Sequence, residues 1–408
     1  MIRVLHTADI HLDSPLKSLA LRDPELRERV QTASRSALTR IIDIALAEDV
    51  AALLIAGDLF DSAERSARTA AFLTLQLERL RAGGVRVFYI KGNHDAENPL
   101  TGEVTLPENV HVFDGRGGKV QLSEGVWVHG VSFASRHAPD SLLPKFPAPV
   151  EGAVNIAMLH TSLAGAQGHD PYAPCALSDL TAAGFDYWAL GHVHRRQVHS
   201  EAPWVVMPGT PQGRDIGEPG PKTATLVTIG EGVRVEEVHT SALEFLPLQV
   251  DVTRTESDDA LRDLLRQSLQ DIARALVSDN AIIRLTLTGD SARRWQILRD
   301  HDIWTDTVAQ MARETGRLWL DKLVLDLAGH AAPGQSATDE LAAIMETIRG
   351  EPGFSAGRRA DIEAVLQEFT PKRRAELLPD ETAMEQLAQR LAASGAERLL
   401  ARMKGASS

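Results

Sequence analysis

Hydrophobic positions in the first hundred residues follow two alternating patterns. Ile2-Arg3-Val4-Leu5-His6, Ala52–Ala56 and Val85–Ile90 read as buried strands, and the Ala52–Ala56 run is apolar throughout. Between them, 23–48 and 66–82 read as helices. The first carries Leu38, Ile41, Ile42, Ala45 and Leu46 at helical spacing, and Gly83-Gly84 closes the second. The order β-α-β-α-β predicts a parallel sheet whose chemistry sits at the carboxyl ends of its strands. From 109 to 133 the pattern shortens and alternates, in Val110–Phe113 and Val126–His129, which predicts antiparallel strands of a second sheet. Strands at 154–159, 186–190 and 204–207 follow, with 223–229 and 233–239 expected to finish that second sheet. Near Leu246 the texture changes. Strands at 248–252, 281–287 and 318–327 and helices at 257–277 and 303–315 predict a small α+β domain. The run from Ala331 to Ser336 reads as a linker, and the rest as helices broken at Pro352-Gly353 and Pro371. The expected fold class is therefore α/β: a two-sheet sandwich flanked by helices over 1–242, an α+β domain over 243–330 and a helical segment over 331–408.

The strand ends are polar in a way that core packing does not ask for. They carry Asp9-Ile10-His11, Gly57-Asp58, Gly92-Asn93-His94-Asp95, His160 and Gly191-His192-Val193-His194. In extended backbone Asp9 and His11 point to one side. Carboxylate, amide and imidazole together suit divalent cations that accept oxygen and nitrogen. Two such cations about 4 Å apart can clamp the attacking and leaving oxygens of a phosphate ester and acidify a water between them. Asp58, in mid-sheet, is the natural bridge. Asp9, His11 and His194 can complete one site, and Asn93, His160 and His192 the other. His94 is then left to steady charge or protonate the leaving oxygen, with Asp95 holding its other nitrogen. Taken singly, each residue has a plain structural reading, such as a hydrogen-bonded core histidine or a helix cap at Asp58. As a set of strand-end residues they point to a dinuclear site.

Composition narrows the class further. The 408 residues are 43% hydrophobic and 24% charged, as in ordinary globular proteins, and are too many for one core. No apolar run reaches about 18 residues, so no membrane span is expected. Met1 leads straight into a strand, which leaves no room for a signal peptide, and a cytoplasmic location is expected. One cysteine, Cys175, excludes an intramolecular disulfide and is read as packing. A net charge of −13 argues against nonspecific coating of nucleic acid, though not against a nuclease. Residues 351–408 hold nine acidic and nine basic side chains, so the end is no basic tail. Arg195, Arg196 and Arg214 are candidates for phosphate contacts, with Arg214 preferred, and His169 and Tyr172 for the substrate path. His6, His111, His129 and His199 lack a partner motif and are read as structural.

Over about residues 1–240, five motifs stand in one order: Asp-x-His, Gly-Asp, Gly-Asn-His-Asp, a lone His after a strand, and Gly-His-x-His. This pattern resembles the calcineurin-like metallophosphoesterases. Within them the chain resembles the SbcD-type bacterial DNA repair exonucleases, which work with a Rad50/SbcC-like coiled-coil ATPase. Ala8-Asp9-Ile10-His11-Leu12-Asp13-Ser14-Pro15, Gly168–Cys175 and Tyr187–His194 carry that finer likeness. The resemblance implies Mn²⁺, 3′-to-5′ removal of nucleotides from DNA, possible homodimers, a capping domain and a C-terminal segment that binds the ATPase. The α+β domain and the helical end lie where those parts are expected. The acidic balance favours an alternative, a phosphodiesterase or phosphatase for nucleotides or other small molecules, while the long appendage after the phosphoesterase domain disfavours it.

Overall fold

The computed structural model describes residues 1–14, 24–61, 66–96, 106–163, 172–328 and 337–405. The chain divides into two compact units. One comprises Met1–Pro247 with Ala275–Ile283, the other Leu248–Arg274 with Arg284–Ser408.

The first unit opens with β1 (Ile2–Thr7), α1 (Pro24–Ala47), β2 (Ala52–Ala56), α2 (Ala67–Ala82), β3 (Arg86–Ile90) and β4 (Val110–Val112). There follow β5 (Gly118–Ser123), β6 (Val126–Gly130), β7 (Val154–His160), α3 (Leu177–Ala182), β8 (Tyr187–Gly191), β9 (Gln197–Glu201), β10 (Trp204–Met207), β11 (Thr223–Ile229) and β12 (Val233–His239). They build two six-stranded sheets, ordered β12-β11-β1-β2-β3-β4 and β5-β6-β7-β8-β10-β9. The expected α/β sandwich of two mixed sheets flanked by helices is what forms. Strand alternation explains the layers. Along β2, Leu53 and Ile55 pack outward with Leu38, Ile41 and Leu77 of the helices. Ala52, Leu54 and Ala56 point inward, where Ile156, Met158 and Tyr187 of the second sheet meet them. On the second sheet's far face, Leu159, Trp188 and Leu190 pack with Leu180 of α3.

Two expectations about sheet membership are corrected. Val110–Val112 pairs parallel to β3, and β11 runs antiparallel to β1, so β4, β11 and β12 belong to the first sheet. Both sheets bury a face in the same sandwich, so alternation identifies a strand without saying which sheet holds it. The stretch after β1 also departs from extended backbone. Asp9 and His11 have φ of 52° and 44°. Their amides donate to the carbonyls of Gly57 and Asp58, so the chain follows the loop after β2 as a twisted ribbon.

A three-stranded sheet joins β13 (Leu243–Asp251), β14 (Asn280–Asp290) and β15 (Leu318–Ala328) in that order. The second unit adds α4 (Asp258–Ala275), α5 (Arg294–Arg299), α6 (His301–Glu314), α7 (Ala337–Gly350), α8 (Pro352–Leu366), α9 (Pro371–Leu377) and α10 (Glu381–Lys404). Leu261, Leu265, Leu269 and Ala273 form the buried stripe of α4 at four-residue spacing. Pro352 and Pro371 open helices at the first turn, where a missing N–H costs nothing. Among the described residues, no helix is long and apolar enough to cross a membrane.

Candidate metal centre

Loops at the ends of β1, β2, β3, β7 and β8 converge. Three groups of side chains could each hold a cation: Asp9, His11 and His194; Asp58, His160 and His192; and His11, Asp58 and His94. Asn93 joins the second, its Oδ1 lying 3.1 Å from His160 Nε2. All seven residues expected as ligands therefore meet at one place, with His94 beside them.

The glycines of the motifs let these loops close. A Cβ on Gly92 would sit 2.2 Å from Asp58 Oδ1, and one on Gly57, at φ +95°, 2.3 Å from His160 Nδ1. Four of the candidate ligands themselves bear left-handed backbone: Asp9, His11, Asp58 and His192 have positive φ. Such conformations cost on the order of 1–3 kcal/mol each and persist where surrounding contacts over-determine them. Here the contacts are visible. The Asp9 carboxylate accepts the His192 N–H at 2.9 Å, and Asp58 Oδ1 accepts the His94 N–H at 3.0 Å.

The electrostatics ask for added positive charge. Asp9 and Asp58 are buried, and among the described residues neither has an ion pair with Lys or Arg. Burial disfavours the His160 imidazolium, yet the carboxylates of Asp58 and Asp9 outweigh it and raise that group to about 9. Burial pushes Asp58 the other way, but His160, His11 and His94 hold it well below the usual carboxylate range. His160 Nδ1 donates to the Ala56 carbonyl at 2.9 Å, which leaves Nε2 to face Asp58. His11 Nε2 and His194 Nε2 point at each other 3.0 Å apart. Two imidazole nitrogens aimed at one spot beside a buried carboxylate fit a cation that takes both lone pairs.

Residues 2–196 match the calcineurin-like phosphoesterase family, and 245–328 match the middle domain of the metallophosphoesterase YhaO. An uncharacterized metallophosphoesterase, YhaO of Bacillus subtilis, is 35% identical over 71% of this chain and 72% of its own length. The chain belongs to the calcineurin-like phosphoesterases. Among more distant relatives is the DNA double-strand break repair protein Mre11 of Sulfolobus acidocaldarius, 28% identical over 48% of this chain and 50% of that protein. A dimetal phosphatase from Danio rerio superposes with a TM-score of 0.37 at 13% identity, covering 59% of this chain and 98% of that one. Membership of the phosphoesterase family carries hydrolase chemistry dependent on divalent metals.

Other expected residues fall differently within this phosphoesterase. Asp95 does not hold His94. It is fully buried and accepts the amides of Leu59, Phe60 and Gly92, tying the loop after β2 to the loop after β3. Burial and the Asp58 carboxylate raise it to about 6. His94 Nδ1 is held at 2.7 Å by the Asp61 carbonyl instead. Tyr172 sets its ring 5.1 Å from that of His192, against a candidate ligand. His169 lies outside the described residues. Arg214 is engaged by Asp61 and Glu218. Arg196 pairs with Glu237. Arg195 is exposed and, among the described residues, has no ion pair.

Sequence reasoning missed Asp61 and Glu218. Asp61 Oδ1 lies 3.2 Å from His11 Nδ1, and Glu218 Oε1 2.6 Å from His194 Nδ1. Their signal was proximity: Asp61 follows Asp58 by three residues and Glu218 follows Arg214 by four.

Proposed function

We propose that this phosphoesterase is a phosphodiesterase acting on DNA ends, a 3′-to-5′ exonuclease in DNA repair that uses manganese and works with a coiled-coil ATPase. One observation carries the phosphodiester part: four of the seven candidate ligands, Asp58, Asn93, His192 and His194, line a surface cleft of about 910 Å³ together with His94, Arg195, Arg214 and Lys222. Asp9, His11 and His194 would hold one cation and Asn93, His160 and His192 the other, with Asp58 between them. When bound, the pair supplies Lewis acidity toward phosphate oxygens and acidifies water.

The chain's own residues do the rest. Asp61's carbonyl fixes the His94 ring through Nδ1, which leaves Nε2 to carry a proton to the leaving oxygen. Arg195, exposed at the cleft, meets a further phosphate of the same strand, and Lys222 adds positive charge on the same wall. These cations give an acidic protein a local site for a polyanion. The likeness to Mre11, a protein named for DNA double-strand break repair, supports the DNA reading over about half of that relative's length.

The test is digestion of end-labelled duplex and single-stranded DNA with Mn²⁺, Mg²⁺ or EDTA. The expected result is manganese-dependent shortening. Hydrolysis of bis-p-nitrophenyl phosphate without any shortening of DNA would keep the phosphodiesterase and overturn the DNA substrate in favour of a small molecule. Co-purification of the full chain with a coiled-coil ATPase tests the partner.

A further inference from the structure

Arg214 was the preferred phosphate contact, yet its fork is already occupied. Nη1 lies 3.4 Å from Asp61 Oδ1 and Nη2 3.4 Å from Glu218 Oε1, while its backbone N–H donates to Glu218 Oε2 at 2.8 Å. Each carboxylate lies beside a different histidine: Glu218 Oε1 hydrogen-bonds His194 Nδ1 at 2.6 Å, and Asp61 Oδ1 sits 3.2 Å from His11 Nδ1, close but off hydrogen-bond alignment. In both rings that is the nitrogen away from the centre, and the two Nε2 atoms converge. Arg214 Nη2 also comes within 3.0 Å of His194 Nδ1. A guanidinium only donates, so that approach and the 2.6 Å carboxylate contact compete for one nitrogen. The shorter, charge-assisted contact wins: Nδ1–H donates to Glu218, and the Arg214 N–H bonds serve the carboxylates. Burial pushes Glu218 and Asp61 up, but His194 with Arg214, and His11 with Arg214, hold each carboxyl at about 2.

We propose that Arg214, Asp61 and Glu218 form a positioning clamp for one cation of the pair. The clamp fixes His11 and His194 with their protons on Nδ1 and both Nε2 lone pairs turned to the same point. Among the described residues, none of its hydrogen bonds or ion pairs reaches Asn93 or His160. This inference rests on the two-cation reading above. It assigns Arg214 to the support of the metal rather than to the substrate, and it leaves Arg195 as the free arginine of the cleft among the described residues. Outer partners of this kind contribute about 10–100-fold to metal affinity. A lysine in place of Arg214 keeps the charge but cannot serve two carboxylates through a planar fork.

Mn²⁺ titration of the full chain, followed by calorimetry and by the electron paramagnetic resonance of free Mn²⁺, tests the clamp. Two cations are expected on the wild type. Fewer than two overturns the underlying reading, and that is seen before any variant is compared. Arg214→Met is expected to weaken one cation 10–100-fold and leave the other unchanged, with turnover restored by raising Mn²⁺. Unchanged affinity at both positions with a raised KM overturns the clamp and returns Arg214 to the substrate. Full affinity in Arg214→Lys overturns the bridging fork. Should Arg214→Met fail to fold by circular dichroism, Glu218→Gln decides, because it is isosteric: one weakened cation supports the clamp, and two unchanged ones overturn it.

Discussion

The two halves of the proposed two-cation centre are held by different means. His160 is fully buried, its Nδ1 is fixed by a backbone carbonyl, and its ring lies edge-on to Phe133 at 5.5 Å. Its neighbour Asn93 sits in the loop that Gly92 allows to close on Asp58. The other half reaches the surface. The His194 side chain is 22% exposed, and its support comes from Glu218 and Arg214, themselves 16% and 29% exposed. Support behind His160 is thus main chain and packing, whereas support behind His194 is a charged side-chain network that reaches solvent, although Asp9 and His11 of the same half are buried. Main-chain support comes with the fold. Side-chain support can be removed one residue at a time, so the halves are separable by mutation.

Asp58→Asn carries the largest expected effect, because Asp58 is common to both halves. Loss of both cations in a Mn²⁺ titration and hydrolysis at background are the expected outcomes. Retention of one cation at wild-type affinity would show that Asp58 serves one half alone. His94→Ala comes next. His94 belongs geometrically with His11 and Asp58, so metal binding and turnover must be read together. As a proton carrier it leaves both cations in place and costs about 10²–10⁴-fold in turnover. Loss of a cation in that variant would make His94 a ligand instead. Gly92→Ala is expected to be smaller and one-sided. The added methyl meets Asp58 Oδ1, forcing the loop that carries Asn93 to shift. The cation at Asn93, His160 and His192 should weaken first, the mirror image of the Arg214 result. Equal weakening at both positions would mean that the halves move as one body.

The same contrast explains what was readable in the chain. The convergence of the candidate ligands was, because each follows a buried strand and two of their motifs carry a glycine needed for close approach. Gly57 and Gly92 are part of the signal for that reason. The carboxylates behind His11 and His194 were not, because nothing in one sequence says which acid near a ligand will face it. Asp95, inside the motif, was given to His94 and in fact ties three amides. Asp61, outside it, holds His94 by a carbonyl that no side-chain pattern reveals. In the fold, strand and helix positions were readable from periodicity, including β2, β11 and β12 at their observed limits. Sheet membership was not, since Val227 of β11 and Met158 of β7 share one core from opposite sheets.

The smallest expected effect lies beneath both halves. His6 on β1 is fully buried and bridges the sheets: its Nδ1 accepts from the Tyr187 hydroxyl at 2.8 Å, and its Nε2 donates to the Leu190 carbonyl at 2.9 Å. β1 leads to Asp9 and His11, and β8 leads to His192 and His194, so this tie sets the spacing between strands that feed both halves. Burial is the main reason that His6 falls to about 3, with Arg196 adding to it, while the Leu190 carbonyl opposes. The folded protein therefore keeps His6 neutral where the unfolded chain, near 6.5, takes up a proton. The contribution is complete above that value and is lost progressively as pH falls from about 6.5 toward 3. At pH 5 the loss is about 2 kcal/mol. Urea unfolding of wild type and His6→Gln at pH 7 and pH 5 isolates it, since all other groups titrate in both. The wild type should lose about 2 kcal/mol more than the variant between the two pH values. Equal losses would show that His6 is free to protonate in the fold, and that the tie between the sheets does not depend on its neutral form.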